Sequence, residues 1–180
     1  VAGRTLQGMT SAAAKPSRWS AFPILLLVGL ATLGKPWLDI PGFLSGAAHR
    51  QRSLDLQLFD AFQYPTVWYL PWLNTVGNVA LFLPLGALIA ARYRRPVRAV
   101  GIATVVSAAV SLVIETAQFV FAIGYTDVDD LLANTVGGML GAVLLVALPR
   151  RFARRGLWVA GAGAAVASAA VIAVMAAEHL

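Results

Sequence analysis

Five apolar stretches divide this chain, at roughly 19–33, 76–91, 97–123, 131–148 and 157–177, and each approaches the length an α-helix needs to cross a hydrocarbon core of about 30 Å. Nothing else in the sequence constrains the fold as strongly. A chain of 180 residues that is 59% hydrophobic and 12% charged, with a mean hydropathy of +0.75, has more apolar surface than a soluble core of its size can bury. The expected architecture is an all-α, polytopic membrane helical bundle of about five transmembrane helices, forming a single membrane domain over residues 1–180. Arg4, Lys15 and Arg18 precede the first stretch as a charged segment precedes the core of a signal peptide. No small-x-small cleavage site follows, since the chain runs on into Gly34, Lys35, Pro36 and Trp37, so the first stretch reads as a retained helix.

Orientation is written in the arginines. Of the 14 Lys and Arg, 11 lie in three segments that five spans place on one side: the N-terminus (Arg4, Lys15, Arg18), the second-to-third connection (Arg92, Arg94, Arg95, Arg98) and the fourth-to-fifth connection (Arg150, Arg151, Arg154, Arg155). Lys35, Arg50 and Arg52 fall on the other side. The positive-inside rule then puts the N-terminus in the cytoplasm and the C-terminus outside. The net charge of +6 and the pI near 10.5 therefore report topology. A nucleic-acid partner is not expected, because that needs basic residues gathered on one face with polar or aromatic companions. The absence of Cys excludes a disulfide framework, a zinc ribbon, an iron–sulfur cluster and a cysteine nucleophile.

The predicted outer loop, 34–74, is rich in aromatics: Trp37, Phe43, Phe59, Phe62, Tyr64, Trp68, Tyr69 and Trp72 are interleaved with Asp39, Asp55 and Asp60. That composition suits a membrane–water interface. Leu54, Leu56 and Leu58 alternate with Asp55 and Gln57, as in a short extended or half-inserted piece, and Pro65 and Pro71 turn the chain back into the second helix. His49 and His179 stand alone, and no metal-ligand motif is present.

Chemistry is sought among groups that lipid should exclude. Glu115 lies inside the third stretch, where a carboxyl costs on the order of 2.5 to 3.5 kcal/mol unless it faces protein or water. Gln118, three residues on, shares its helical face, and Glu115 sits roughly 12 Å below the outer edge if the helix ends near Ile123. The fourth stretch opens at that edge with Asp127, Asp129 and Asp130, followed by Asn134, while Asn78 and Pro84 interrupt the second. Gly137, Gly138 and Gly141 allow close approach of a neighbouring helix. Together these residues describe a polar pocket open to the outside. The plainer account of each also stands: Thr126 with Asp129 fits a capping box, the aspartates suit the positive end of a helix, and Glu115, Gln118 and Asn134 suit a structural hydrogen-bond network.

The ordered run Asn78, Pro84, Gly86, then Glu115 with Gln118, then Asp127, Asp129, Asp130, Asn134, Gly137, Gly138 and Gly141, spread over about 64–148, resembles the VanZ-like family of bacterial integral membrane proteins. The resemblance implies a multi-pass protein of the bacterial cytoplasmic membrane linked to low-level resistance to the glycopeptide teicoplanin. Members of the family usually carry an arginine about three residues before the first aspartate of the acidic motif, where this chain has Gly124. Without that partner the site suits a protonated acid, a cation or a different substrate.

Two functional readings follow. In one, the protein binds an amphipathic or lipid-linked small molecule, with Asn78, Gln118, Asp127, Asp129 and Asn134 as ligand-binding residues. In the other it is an intramembrane enzyme acting on a prenyl-like or other amphipathic substrate, with Glu115 as general acid and Asp130 as base or second carboxylate. No cofactor is required by either; a variant of the second has Asp127 and Asp130 hold Mg²⁺ against a lipid phosphate, since hard cations take oxygen ligands.

Overall fold

The computed structural model describes residues 18–38 and 52–177. Helix α1 (Arg18–Leu33) is followed by one 3-10 turn, Lys35–Trp37. A short strand β1 (Arg52–Asp55) and the single-turn helix α2 (Asp60–Gln63) lead into α3 (Leu70–Ala90) and α4 (Pro96–Phe121). Strand β2 (Gly124–Asp127) then runs directly into α5 (Val128–Ala147), and α6 (Arg150–Ala177) completes the set. Four helices, α3 to α6, are long and apolar enough to cross a membrane, and the molecule is a membrane helical bundle. The 16 residues of α1 reach only about 24 Å at 1.5 Å per residue, with Pro23 inside.

Local chemistry explains where the helices start and stop. Prolines at the first turn of α3 (Pro71) and at the start of α4 (Pro96) supply a pre-set φ where no N–H is needed. Helix α4 ends on Ala122 at φ 53, a left-handed residue whose N–H returns to the Gln118 and Phe119 carbonyls. Helix α3 begins six residues before the apolar stretch at 76; in that added segment Asn74 is bonded to Asp130, a partner that hydropathy does not register. Helix α6 likewise starts in its arginines, not at Leu157.

The centre of the bundle is α5 packed between α3 and α4, with Phe82, Ala99, Ala103 and Ala142 fully enclosed. Lipid tails are as apolar as leucine, so close van der Waals contact must hold these helices together. Glycine permits it: a Cβ on Gly86 would stand 1.9 Å from the carbonyl oxygen of Gly138, and one on Gly141 would stand 1.9 Å from that of Leu83. Helices α1 and α6 pack on each other along the flank.

The strands form a parallel pair, with Arg52 opposite Gly124 and Asp55 opposite Asp127. The expected extended piece is thus present, but it lies at Arg52–Asp55, and its partner β2 had no counterpart in the sequence reading. Arg52 fastens the pair to the bundle. Its guanidinium donates to the Phe119 and Val120 carbonyls at 2.9 and 3.1 Å and stacks on the Phe119 ring, satisfying the end of α4. Asp39, Phe43, His49, Arg50 and His179 lie outside the described residues.

Candidate functional site

At the end of the bundle remote from the arginine-rich connections, α4 stops, β2 crosses and α5 begins. Four acidic residues meet there. Glu115, buried in α4, accepts the backbone N–H of Asp127 at 2.9 Å through Oε2, while its own carbonyl accepts the Thr126 hydroxyl at 3.0 Å. The N-cap of α5 is Asp127, whose carboxylate accepts the Asp129 N–H at 2.7 Å. This shifts the expected capping box by one residue: Thr126 turns to α4, and Asp127 caps.

Asp130, in the first turn of α5, is 7% exposed and is clasped by two amides of α3, Asn74 at 2.6 Å and Asn78 at 2.5 Å. Asp129 accepts the backbone N–H of Phe59 at 2.8 Å, where Phe59 takes a left-handed φ of 61. This bond ties the aromatic segment to the start of α5. One turn further into the bundle, Asn134 donates to the Ser111 hydroxyl at 2.9 Å. Gln118 turns away from Glu115 and donates to the Thr32 carbonyl of α1 at 3.0 Å. Among the described residues, Gln118 Oε1, Asp129 Oδ1, Asn134 Oδ1 and Ser107 Oγ are buried without a hydrogen-bond partner.

The structure therefore joins Glu115 to Asp127 and Asp130 to Asn78, whereas Asn134 and Gln118 each find a partner outside that group. Sequence reasoning missed Asn74, Ser111 and Lys35. Asn74 stands four residues before Asn78 and so on its face of α3, a spacing visible in the chain. Lys35 was read only as a loop cation, but it interacts electrostatically with both Asp130 and Glu115 and is a counter-charge to these two carboxyls. Gly124 has its own packing reason: a Cβ there would come within 2.9 Å of the Gln118 amide nitrogen, and the cation opposite it in the strand pair is Arg52. Asp127 lies outside the helices. Burial pushes its carboxyl up to about 6, against the pull of the Asp129 N–H and with help from the neighbouring charges of Asp130, Asp129 and Asp55. Among the described residues, no three His, Cys, Asp or Glu are grouped to hold a metal ion.

Beside the acids is a groove of about 290 Å³ between α4 and α5 under β1. Leu54, Leu56, Leu112 and Leu131 form its walls, and Glu115 and Asp127 are among the residues that line an otherwise almost wholly apolar surface. A second groove of about 490 Å³ continues along α4 and α5 and shares Leu112, Val128 and Leu131 with the first. Hydrocarbon surface leading to a carboxyl is a surface for an amphipathic molecule.

Fold and site together define a membrane helical bundle with an amide-clasped acidic cluster at one end. Residues 22–150 match the VanZ/LLP1 family, and the chain belongs to that family. It is also similar to Protein VanZ of Enterococcus faecium, 37% identical over 101 residues, which are 56% of this chain and 57% of that protein. The chain thus spans little more than half the length of that relative. No solved structure matches it.

Proposed function

We propose that the protein is a multi-pass component of the bacterial cytoplasmic membrane that lowers susceptibility to teicoplanin-type glycopeptides by holding an amphipathic or lipid-linked ligand at its acidic end. The observation that supports this most is the groove between α4 and α5, with leucine walls and Glu115 and Asp127 among its lining residues. A prenyl or acyl chain lies along Leu112, Val128 and Leu131, and its polar head meets the two carboxyls. The groove is an open trough and not an enclosed cavity, while Glu115 itself is buried in α4 against β2. Catalysis by a buried acid gains from a site that expels water, so an open groove favours capture of a ligand over the enzyme reading.

Two variants test the proposal in cells whose content of membrane-inserted protein is measured alongside teicoplanin susceptibility. Filling the groove by Leu112→Trp with Leu131→Trp should abolish the protective effect without loss of inserted protein. Full protection by that variant would overturn the binding reading. Glu115→Gln keeps shape and hydrogen bonding but removes the ionisable proton, so a binding site should tolerate it with a change of a few fold. A fall of roughly 10² to 10⁴ would assign general acid–base chemistry to Glu115 instead.

A further inference from the structure

A separate groove of about 400 Å³ lies on the other flank, between α1, α3, α5 and α6, and shares no residue with the acidic site. Its lining is apolar, from Leu83 and Pro84 of α3, Leu144 of α5 and Leu157 of α6. Along α6 it extends from Ala153 to Ala164, about 16 Å at 1.5 Å per residue, close to the depth of one hydrocarbon leaflet. The opening comes from glycine. Unlike the crowded glycines of α3 and α5, Gly156 and Gly163 have no heavy atom within 4 Å of the point where a Cβ would stand.

The end of this groove near the α5–α6 connection is strongly basic. Its lining reaches Leu148 and Ala153 at the α5–α6 connection, where Arg151, Arg154 and Arg155 are exposed in the first turns of α6, and Arg92 is exposed just after α3. None of the eight Asp and Glu of the chain lies in either arginine-rich connection. A second copy of the chain in the same membrane would bring its own arginines to this depth and be repelled. A lipid of opposite charge is attracted at the same place.

We propose that this groove holds an acyl chain of an anionic phospholipid, with the headgroup phosphate met by the arginines at the start of α6. The apolar channel of one leaflet's length accounts for the chain, and the exposed arginines at its end account for the headgroup. The site is independent of the acidic cluster at the opposite end.

The full chain, purified in a neutral detergent, is titrated with phosphatidylglycerol or phosphatidylcholine, and the lipids retained per protein are counted by native mass spectrometry. One phosphatidylglycerol should be retained in preference to phosphatidylcholine, on the order of tenfold. Gly156→Leu with Gly163→Leu fills the groove without a backbone clash and should remove that retained lipid. Arg151→Gln, Arg154→Gln and Arg155→Gln together should leave retention but erase the headgroup preference. Equal retention of the two lipids by the unmodified protein overturns the proposal, as does undiminished retention by a plugged variant with an unchanged thermal transition. If the plugged variant fails to fold, the exposed arginine variant decides: a preference that survives it overturns the proposal. A dimer that the plug disrupts, with no effect on lipid retention, would assign the groove to a second copy instead.

Discussion

Asp127 shows how one side chain can serve structure and remain sensitive to its surroundings. It caps α5 through the Asp129 N–H, but burial disfavours its charged form, and Asp130, Asp129 and Asp55 add like charge. Its carboxyl is raised to about 6 from an ordinary 3.8, so the folded protein binds this proton more tightly than the unfolded chain does. The contribution of Asp127 to stability is therefore greatest below about 3.8, declines as pH rises towards about 6, and is flat beyond. Asp127→Asn keeps the accepting oxygen and cannot ionise. We expect its thermal transition in detergent to match the unmodified protein at the acid end of that window, to exceed it increasingly as pH rises to about 6, and to exceed it by a constant margin above that. A difference that stays constant with pH would show that Asp127 ionises as freely when folded as when unfolded. At this scale Glu115, Asp130 and Asn134 were legible in the sequence because polar groups in an apolar run require partners. Ser111 and Lys35 were not, since a serine in a helix and a lysine in a loop are unremarkable until the fold brings Asn134 and Asp130 beside them.

Elements in this bundle are joined by what glycine leaves out. Where α3 crosses α5, the Cβ of an alanine at position 141 would overlap the Leu83 carbonyl oxygen at 1.9 Å, and no side-chain rotation relieves contact with backbone. Gly141→Ala should thus cost roughly 1 to 3 kcal/mol or more, the range of core overpacking, read as a lowered thermal transition and a smaller yield of folded protein. Gly101→Ala is the control. That position on α4 is exposed with nothing within 4 Å, so the change should be neutral or stabilising by up to about 1 kcal/mol through helix propensity. An equal response at both positions would remove close approach as the reason for the α5 glycines. The helices and the Gly137, Gly138, Gly141 spacing could be read from the chain because hydropathy and small-residue spacing are local properties. The β1–β2 pair could not. Four residues are too few for a period to appear, and the partner of Arg52 is Gly124, far along the chain. Helix boundaries moved for a related reason: Asn74 is bonded to Asp130 and the first turn of α6 closes on the Pro149 carbonyl, and an apolar average registers neither.

At the scale of the whole molecule, alternation of α3, α4 and α5 gathers opposite chemistries at opposite ends. Arg92 to Arg98 and Arg150 to Arg155 fall at one end, while Glu115, Asp127 and Asp130 lie at the other beside the exposed Trp68 and Trp72. The split of basic residues leads us to expect the arginine end in the cytoplasm and the acidic end outside. Because the native chain has no Cys, single substitutions report on this directly. In intact cells, a membrane-impermeant maleimide should label Gln57→Cys, exposed just after strand β1, and should label Arg95→Cys or Arg151→Cys only after permeabilisation. The test reaches beyond topology. A glycopeptide is large and polar and acts from outside, so a protein that counters it by holding a ligand must present that ligand's head at the outer surface. Labelling in the reverse order would put the groove ending at Glu115 on the cytoplasmic side, remove the acidic end from contact with the outer leaflet, and overturn the proposed function along with the orientation.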